Sequence, residues 1–214
     1  MNEGETSATQ RTLVVATMNR GKLREVRDLL SGLPVHLISL DEFPGIAVAE
    51  ETGSTFAENA AIKALYYARA TGHWALADDS GLEVDALDGA PGVRSARYAG
   101  SQADDRANNM KLLNALRDVP SEKRTARFFC AMALSSPEGV LATAAGRLEG
   151  FIGDEPRGAN GFGYDPHFYV PELGMTAAQM PPEQKNLISH RGQALRAILP
   201  EIERQVARAA HVRH

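Results

Sequence analysis

The sequence predicts an α/β protein with a mixed β-sheet flanked by helices. Residues 12–16 are a compact β-branched run, and a polar loop and apolar residues at helical spacing follow it directly. The turn signal at 136–139 joins two runs that are expected to be strands, 127–135 and 140–152. Those two strands are expected to be antiparallel, which makes the sheet mixed. An amphipathic helix is predicted over residues 104–117.

Length and composition indicate an ordinary globular protein. The chain has 214 residues, of which 43% are hydrophobic and 23% charged, so it can bury a sizeable core. A net charge of −4 gives no indication of a nucleic-acid groove or of binding to an anionic membrane surface. No apolar run approaches a membrane span, and residues 1–11 lack the apolar segment of a signal peptide. We therefore expect a cytoplasmic protein with a disordered leader. Cys130, the single cysteine, is expected to pack as a small hydrophobe.

The first loop has the character of an anion-binding loop. Residues 17–22 are polar, contain a glycine and stand between a strand and a helix, where N–H groups can face an anion. The pattern is not a Walker A loop, because that motif needs glycine at Ala16 and serine or threonine at Leu23. An ordinary connection with a solvated Lys22 explains the same residues. A second strand is predicted over residues 35–40.

The next helix carries its own start and stop signals. Thr55 and Glu58 have capping-box spacing, and Gly72 is a typical residue for the helix end. Glu58 therefore has a purely structural explanation. Asn59 and Lys63 are four residues apart and share one face, from which the lysine can reach either a phosphate or water.

A pair of adjacent aspartates follows a short apolar run. Residues 74–77 predict a buried strand, which is expected to stop at Asp78, Asp79, Ser80 and Gly81. Open α/β sheets bind ligands beyond the carboxyl ends of their strands, and a divalent cation would offset the repulsion between the two carboxylates. The alternative is a simple turn, because Asp-Ser-Gly is common turn chemistry.

A glycine-rich loop at 158–166 surrounds an aromatic residue. Its glycines would let the backbone approach a flat ligand closely, and the ring of Phe162 can stack on a base. The alternative is a tight loop with Phe162 packed into the core.

A cluster of basic residues is predicted at the start of the last helix. Ser189 is expected to cap this helix, and Lys185, His190 and Arg191 stand around the cap. Positive charge at a helix N-terminus opposes the helix dipole, so the cluster indicates an anionic or electron-rich ligand. Pro200 is expected to break or kink the helix.

Taken together, these motifs resemble the inosine triphosphate pyrophosphatases, also called dITP/XTP pyrophosphatases, and most closely their bacterial branch. The resemblance spans residue 12 to about residue 199, and its motifs appear in the family's order. The segments that carry it are residues 16–22, 51–60, 77–82, 95–100, 161–166 and 189–192.

The resemblance implies a two-lobed α/β fold with a long mixed sheet, a homodimer and magnesium as cofactor. It implies hydrolysis of a nucleoside triphosphate to the monophosphate and pyrophosphate, with dITP, ITP and XTP as preferred substrates. We expect one domain over residues 12–205, with a C-terminal tail over residues 206–214. No nucleic-acid or membrane partner is expected.

The resemblance also assigns roles to individual residues. Asp79 would be the general base and a metal ligand, and Glu50 the second metal ligand. The phosphates would be held by Thr17, Met18, Asn19, Arg20, Gly21, Lys22 and Ser80. The nucleoside and its base would be held by Phe162, Gly163, Tyr164, Asp165, Lys185, His190 and Arg191. Two positions depart from the family pattern: Gln179 replaces a glutamate, and Met18 replaces a small residue.

The chemistry is consistent with the residue types. Lys22, Lys63 and magnesium can neutralise a triphosphate, and Asp79 can take a proton from the water that attacks the α-phosphorus. Deaminated purines present an oxygen where adenine presents an amine, so a donor such as Arg191 favours them. Two alternatives are a house-cleaning pyrophosphatase for modified pyrimidines or other modified nucleotides, and a non-catalytic nucleotide-binding protein. The acid pair Asp79 and Glu50 argues against the second.

Overall fold

The computed structural model describes residues 11–18, 20–101 and 104–211. Within these residues seven strands form one sheet in the order β2-β1-β3-β4-β5-β6-β7. The strands are β1 (Arg11–Val15), β2 (Val35–Ser39), β3 (Trp74–Val84), β4 (Thr125–Ser136), β5 (Gly139–Ile152), β6 (Phe168–Val170) and β7 (Met175–Thr176). The helices are α1 (Arg20–Leu30), α2 (Phe56–Thr71), α3 (Asp105–Ala115), α4 (Pro182–Ile188) and α5 (His190–His211).

The sheet is mixed, as predicted. β1 is parallel to both of its neighbours, β2 and β3, and every later pairing in the sheet is antiparallel. The predicted hairpin of two long strands is the β4–β5 pair. Most of the expected leader and Asn19 of the first loop lie outside the described residues. Within the described ranges, no helix combines the length and apolar character that crossing a membrane requires.

Local signals fix the ends of α2. Thr55 Oγ1 accepts a hydrogen bond from the Glu58 N–H at 3.2 Å, and Glu58 Oε2 accepts one from the Thr55 N–H at 3.2 Å. Gly72 ends the helix with a φ of 71°, a conformation that glycine adopts without strain. The predicted capping box and stop are both confirmed.

The core divides along the length of the sheet. Around β1 and the start of β3, side chains alternate between a face covered by α1 and α5 and a face covered by α2. Leu76 packs on the first face, and Ala75 and Ala77 pack on the second. A third cluster, which includes Leu82 and Val84 of β3, lies toward the other end of the strand with α3 and β6. This division matches the two-lobed fold, and residues 78–81 of β3 lie between the clusters.

β3 does not stop at the aspartates, so that part of the prediction was wrong. It continues to Val84, because β4 pairs with it antiparallel from Ala75 to Val84 and supplies hydrogen bonds that the local sequence does not reveal. β1, by contrast, is paired with β3 only as far as Leu76. The aspartates therefore lie in the middle of one strand but just beyond the carboxyl end of the neighbouring one, where α/β sheets bind ligands.

The end of the chain differs from expectation in two respects. α5 is not broken at Pro200 but runs on to His211, so the first six residues of the predicted tail, 206–211, are helical. Burial of Leu195, Ile198 and Ile202 against the sheet outweighs the loss of one helical hydrogen bond at the proline. Lys185 lies in the last turn of α4, where the helix dipole favours a positive charge, rather than at the start of α5.

Candidate active site

Successive side chains of a strand point to opposite faces, and this separates the two aspartates. Asp78 lies on the face of α1 and α5, where its Oδ2 accepts hydrogen bonds from Lys22 Nζ at 2.8 Å and Ser80 Oγ at 3.1 Å. Arg191 reaches the same group, with its Nε 3.5 Å from Asp78 Oδ2 and an Nη2 that donates to Ser80 Oγ at 3.1 Å. Lys22, Ser80 and Arg191, far apart in sequence, therefore meet around one buried carboxylate.

The electrostatics make Asp78 a permanent anion. Burial raises its pKa, but the charges of Lys22 and Arg191 outweigh this and hold the pKa well below its usual range. Asp78 thus holds two cations in place rather than exchanging protons.

Asp79 lies on the α2 face and has the opposite character. Lys63 Nζ is 3.3 Å from Asp79 Oδ1 and 2.8 Å from Glu51 Oε1, so one ammonium is shared by two carboxylates. Burial raises the pKa of Asp79, the Lys63 charge opposes the increase and Glu51 adds to it, and the net result is a raised pKa. A raised pKa brings a carboxylate nearer to the range in which it can accept a proton near neutral pH.

The second oxygen of Asp79 fits a metal ion or a water. Asp79 Oδ2 is buried and accepts no well-formed hydrogen bond among the described groups, although the neighbouring Asn59 amide acts to lower the pKa of Asp79. A buried carboxylate oxygen without a partner is costly, and a divalent cation or an ordered water would satisfy it. Glu50 is exposed on the segment before α2, and its neighbour Glu51 is the carboxylate that shares Lys63. No three His, Cys, Asp or Glu side chains of the described residues come together as a metal-binding group.

The first loop lies beside these aspartates. Thr17 is half-buried and Met18 is 67% exposed, so the bulkier residue at that position projects outward. Arg20 and Gly21 begin α1, and Lys22 in its first turn reaches Asp78. Backbone N–H groups at the start of a helix beside a lysine are suited to binding phosphate.

The glycine-rich loop is organised by Asp165. This buried carboxylate accepts hydrogen bonds from the Phe162 N–H at 2.9 Å and from Lys185 Nζ at 2.5 Å. Gly161 has a φ of +77°, and a Cβ there would lie 2.0 Å from Asp165 Oδ2, so this position requires glycine. Burial raises the pKa of Asp165, while the Lys185 charge opposes that effect.

Phe162 is presented to solvent rather than packed in the core. Its side chain is 39% exposed, and Lys185 Nζ and Arg191 Cζ lie 5.1 and 5.9 Å from its ring centroid. The alternative of a core phenylalanine is therefore wrong. An exposed ring flanked by two cations can stack on a base and attract its electron-rich edge.

The positive charges of Lys185 and Arg191 are not without acidic partners, so that part of the prediction was wrong. Lys185 is paired with Asp165, and Arg191 shares the Asp78 carboxylate with Lys22, so each of these cations has an acidic partner within the protein. His190 is buried and stacked on Phe128 at 5.0 Å, and burial together with the Arg191 charge lowers its pKa well below its usual range. It is therefore a neutral residue at the start of α5. Its Nδ1 has no hydrogen-bond partner among the described groups.

Tyr164 and Gly163 of the glycine-rich loop offer no free polar side chain. Tyr164 is buried in the third cluster, and its hydroxyl donates to the Ser95 carbonyl at 2.7 Å. Gly163 has a φ of +65° and offers only its main chain. The Gly163 N–H and carbonyl are both bonded to side chains of α3, so these two residues shape the loop rather than offer a side chain to a ligand.

Two contacts of the site were not predicted from the sequence. Glu51 is a partner of Lys63, and Asp78 is the anchor of Arg191. Glu50 and Glu51 are adjacent acids in the sequence, but nothing in the sequence says which of the two faces α2. Arg191 and Asp78 are 113 residues apart, and no local signal connects them. Arg97, whose Nη1 lies 3.3 Å from Glu51 Oε2, was missed for the same reason.

Together these groups form a candidate site around Asp78 and Asp79, with contributions from both faces of β3 and with Phe162 beside Arg191. It offers cations for an anion, a carboxylate with a raised pKa, and an exposed aromatic ring. Such a site suits a phosphorylated ligand that carries a flat ring, within an α/β protein of the sheet order described above.

The chain belongs to the Ham1 family, whose family model matches residues 13–201. It is 59% identical to a dITP/XTP pyrophosphatase of Geobacter sulfurreducens over 183 residues, which cover 86% of this chain and 92% of that protein. A dITP/XTP pyrophosphatase of Desulforamulus reducens is 54% identical, covering 90% of this chain and 96% of the relative. A solved HAM1 protein from Coxiella burnetii is 48% identical, with a TM-score of 0.83 over 88% of this chain and 96% of that one. The resemblance found in the sequence and the expected fold are both confirmed.

Proposed function

We propose that this protein hydrolyses dITP, ITP and XTP to the nucleoside monophosphate and pyrophosphate, and so removes deaminated purines from the nucleotide pool. The observation that carries the proposal is Asp79, a carboxylate with a raised pKa and a buried oxygen without a partner, beside Lys63. The substrate class comes from the relatives, which are named dITP/XTP pyrophosphatases.

The chain's own residues account for the main steps. Lys22, Ser80 and the first loop bind the phosphates, and Asp78 keeps Lys22 and Arg191 in place before substrate arrives. Asp79 orients a water and accepts one of its protons. The water oxygen bonds to the α-phosphorus as the bond from that phosphorus to the bridging oxygen breaks, and pyrophosphate leaves with the bonding electrons. A preorganised set of charges of this kind is where most catalytic stabilisation arises.

Magnesium fits as the cofactor. Asp79, through its unsatisfied oxygen, and Glu50 would hold it together with the phosphates, since magnesium is commonly bound by one or two carboxylates plus substrate oxygens. When bound, it supplies positive charge for the triphosphate and makes water more acidic.

Base selection is assigned to the glycine-rich loop and the start of α5. Phe162 would stack on the purine, and Lys185, Arg191 and main-chain N–H groups would donate hydrogen bonds to its oxygens. The amine of adenine would leave such donors unpaired, which a binding site penalises strongly. Neutral His190 lies at the same helix end, where its buried Nδ1 has no hydrogen-bond partner among the described groups.

The remaining expectations stay part of this proposal: a homodimer in the cytoplasm, one catalytic unit over residues 12–205, and no nucleic-acid partner.

The test is pyrophosphate release from a panel of triphosphates. We expect dITP, ITP and XTP to be hydrolysed in magnesium, with ATP and GTP much slower. Preferential hydrolysis of modified pyrimidine triphosphates would indicate that this protein is a house-cleaning pyrophosphatase for those nucleotides instead. Tight binding of dITP with no pyrophosphate released would indicate a nucleotide-binding protein without catalysis.

A further inference from the structure

We propose that Asp105 and Asn109 of α3 are positioning residues that hold the glycine-rich loop so that Phe162 faces the nucleotide. This inference rests on the proposed function, because it assumes that Phe162 meets a nucleotide base. Both residues would act through the loop, by holding its main chain, rather than by recognising the base.

Both polar groups of the Gly163 main chain are bonded to α3. Asp105 Oδ2 accepts a hydrogen bond from the Gly163 N–H at 2.6 Å, and Asn109 Nδ2 donates one to the Gly163 carbonyl at 2.8 Å. The two side chains are four residues apart and so lie on the same face of the helix. The carboxylate of Asp105 therefore pairs with the N–H of Gly163, and the amide of Asn109 pairs with its carbonyl. We call these two hydrogen bonds the α3 clamp.

The loop needs such a support because its glycines give its backbone a wide range of accessible conformations. Gly161 and Gly163 flank Phe162, and both have positive φ values, +77° and +65°. Glycine is the residue that loses most conformational freedom on ordering, so a loop of this kind is fixed only by outside contacts. Asp165 holds the Phe162 N–H from one side, and the α3 clamp holds the next residue from the other.

α3 is itself firmly attached to the body of the protein. Asn108 is buried, its Oδ1 accepts from the Ala99 N–H at 2.8 Å, and its Nδ2 donates to the Ala96 carbonyl at 3.2 Å. Ala96 belongs to the 3₁₀ segment Gly92–Arg97, which packs against β3. Through α3 and this 3₁₀ segment, the α3 clamp therefore fixes the position of Phe162 relative to β3, the strand that carries Asp79.

The variants can separate positioning from helix stability. Asp105→Ala removes the acceptor, and Asn109→Asp keeps the shape but turns a carboxylate oxygen toward the Gly163 carbonyl. Asp105→Asn is the conservative rescue, because its amide oxygen can still accept from the Gly163 N–H. Asp104→Ala is the matched control. It removes a neighbouring carboxylate that caps α3 through the Ala107 N–H at 2.7 Å without touching the loop.

We expect the two clamp variants, Asp105→Ala and Asn109→Asp, to raise KM for dITP and for ITP by a similar factor of about five to ten. Their kcat should be nearly unchanged. The same factor should appear in the dissociation constant of inosine monophosphate, measured by calorimetry. Inhibition by pyrophosphate, which has no base, should not change. Asp105→Asn should restore most of the nucleotide affinity, and Asp104→Ala should lower the melting temperature while leaving KM at the wild-type value.

Amide hydrogen exchange supplies a readout that is independent of activity. The Gly163 amide should exchange faster in Asp105→Ala than in the wild type and in Asp104→Ala. If nucleotide KM and inosine monophosphate affinity stay at wild-type values in both clamp variants, the inference is overturned even though the enzyme is active. An equal rise in KM in Asp104→Ala would also overturn it, since the effect would then be that of a weakened helix. A wild-type protein that releases no pyrophosphate refutes the proposed function instead, and inosine monophosphate binding by the variants still decides the clamp.

Discussion

Two isosteric substitutions at adjacent positions should have opposite consequences. Asp78→Asn removes a buried anion that holds Lys22 Nζ at 2.8 Å and Arg191 Nε at 3.5 Å, with side chains of Asp78 and Arg191 only 5% and 3% exposed. Removing one partner from a buried ion pair costs about 3–5 kcal/mol of unfolding free energy. For a chain of this length that loss lowers the melting temperature by roughly 6–20 °C.

Asp79→Asn should behave differently, because the folded protein disfavours the ionised form of this group. A carboxyl whose pKa is raised on folding destabilises the folded state at pH values above its unfolded pKa, so its neutral replacement should be at least as stable as the wild type. Its turnover, however, should fall by at least the roughly 10²–10⁴-fold that loss of a general base costs, while nucleotide binding survives.

The assay is urea denaturation of the wild type and both variants at pH 7, alongside pyrophosphate release from dITP. A Ser80→Ala variant serves as the stability control, because it removes the hydrogen bonds of Ser80 to Asp78 and from Arg191 but leaves the Asp78 charge in place. An Asp78→Asn protein within 1 kcal/mol of the wild type would refute the assignment of Asp78 as an anchor. An Asp79→Asn enzyme with normal turnover would refute the assignment of the base.

Three further predictions concern pH, metal and base recognition. Because the pKa of Asp78 is lowered on folding, its stabilisation is complete above the unfolded pKa of about 3.9 and is lost below it. The difference between wild type and Asp78→Asn should therefore be constant near neutral pH and shrink below about pH 4 in acid titrations of unfolding. Excess chelator should abolish pyrophosphate release and added magnesium should restore it, whereas full activity in chelator would contradict the cofactor assignment. Phe162→Ala should lower kcat/KM for ITP and ATP equally, since every base can stack, whereas Arg191→Ala should reduce the preference for ITP by about tenfold. An equal loss for both substrates in Arg191→Ala would assign that residue to phosphate binding.

Local signals predicted what depends on neighbours in sequence. The capping box at Thr55 and Glu58, the stop at Gly72 and the hairpin turn at 136–139 each require only a few adjacent residues, and each is present. Ser189 also caps as expected, since its Oγ accepts from the Gly192 N–H at 3.0 Å.

The errors share a different cause, which is dependence on distant partners. The length of β3 is set by β4, about fifty residues later, and the continuity of α5 through Pro200 is set by packing on the sheet. The acidic partners of Lys185 and Arg191 are Asp165 and Asp78, which no spacing rule connects to them. Sequence reasoning located the motifs of the site, but the pairing of their charges could be seen only after folding.

The unequal lengths of β1 and β3 have a consequence for how the site can be reached. β1 leaves the sheet beside Leu76, while β3 continues through Asp78 and Asp79 to Val84, so the sheet has a notch at this point. A bound molecule that enters the notch can touch groups from both faces of the sheet at once, which a straight-edged sheet would keep on separate sides. If β1 were two residues longer, it would fill the notch. The site would then be closed even though Asp78 and Asp79 were unchanged.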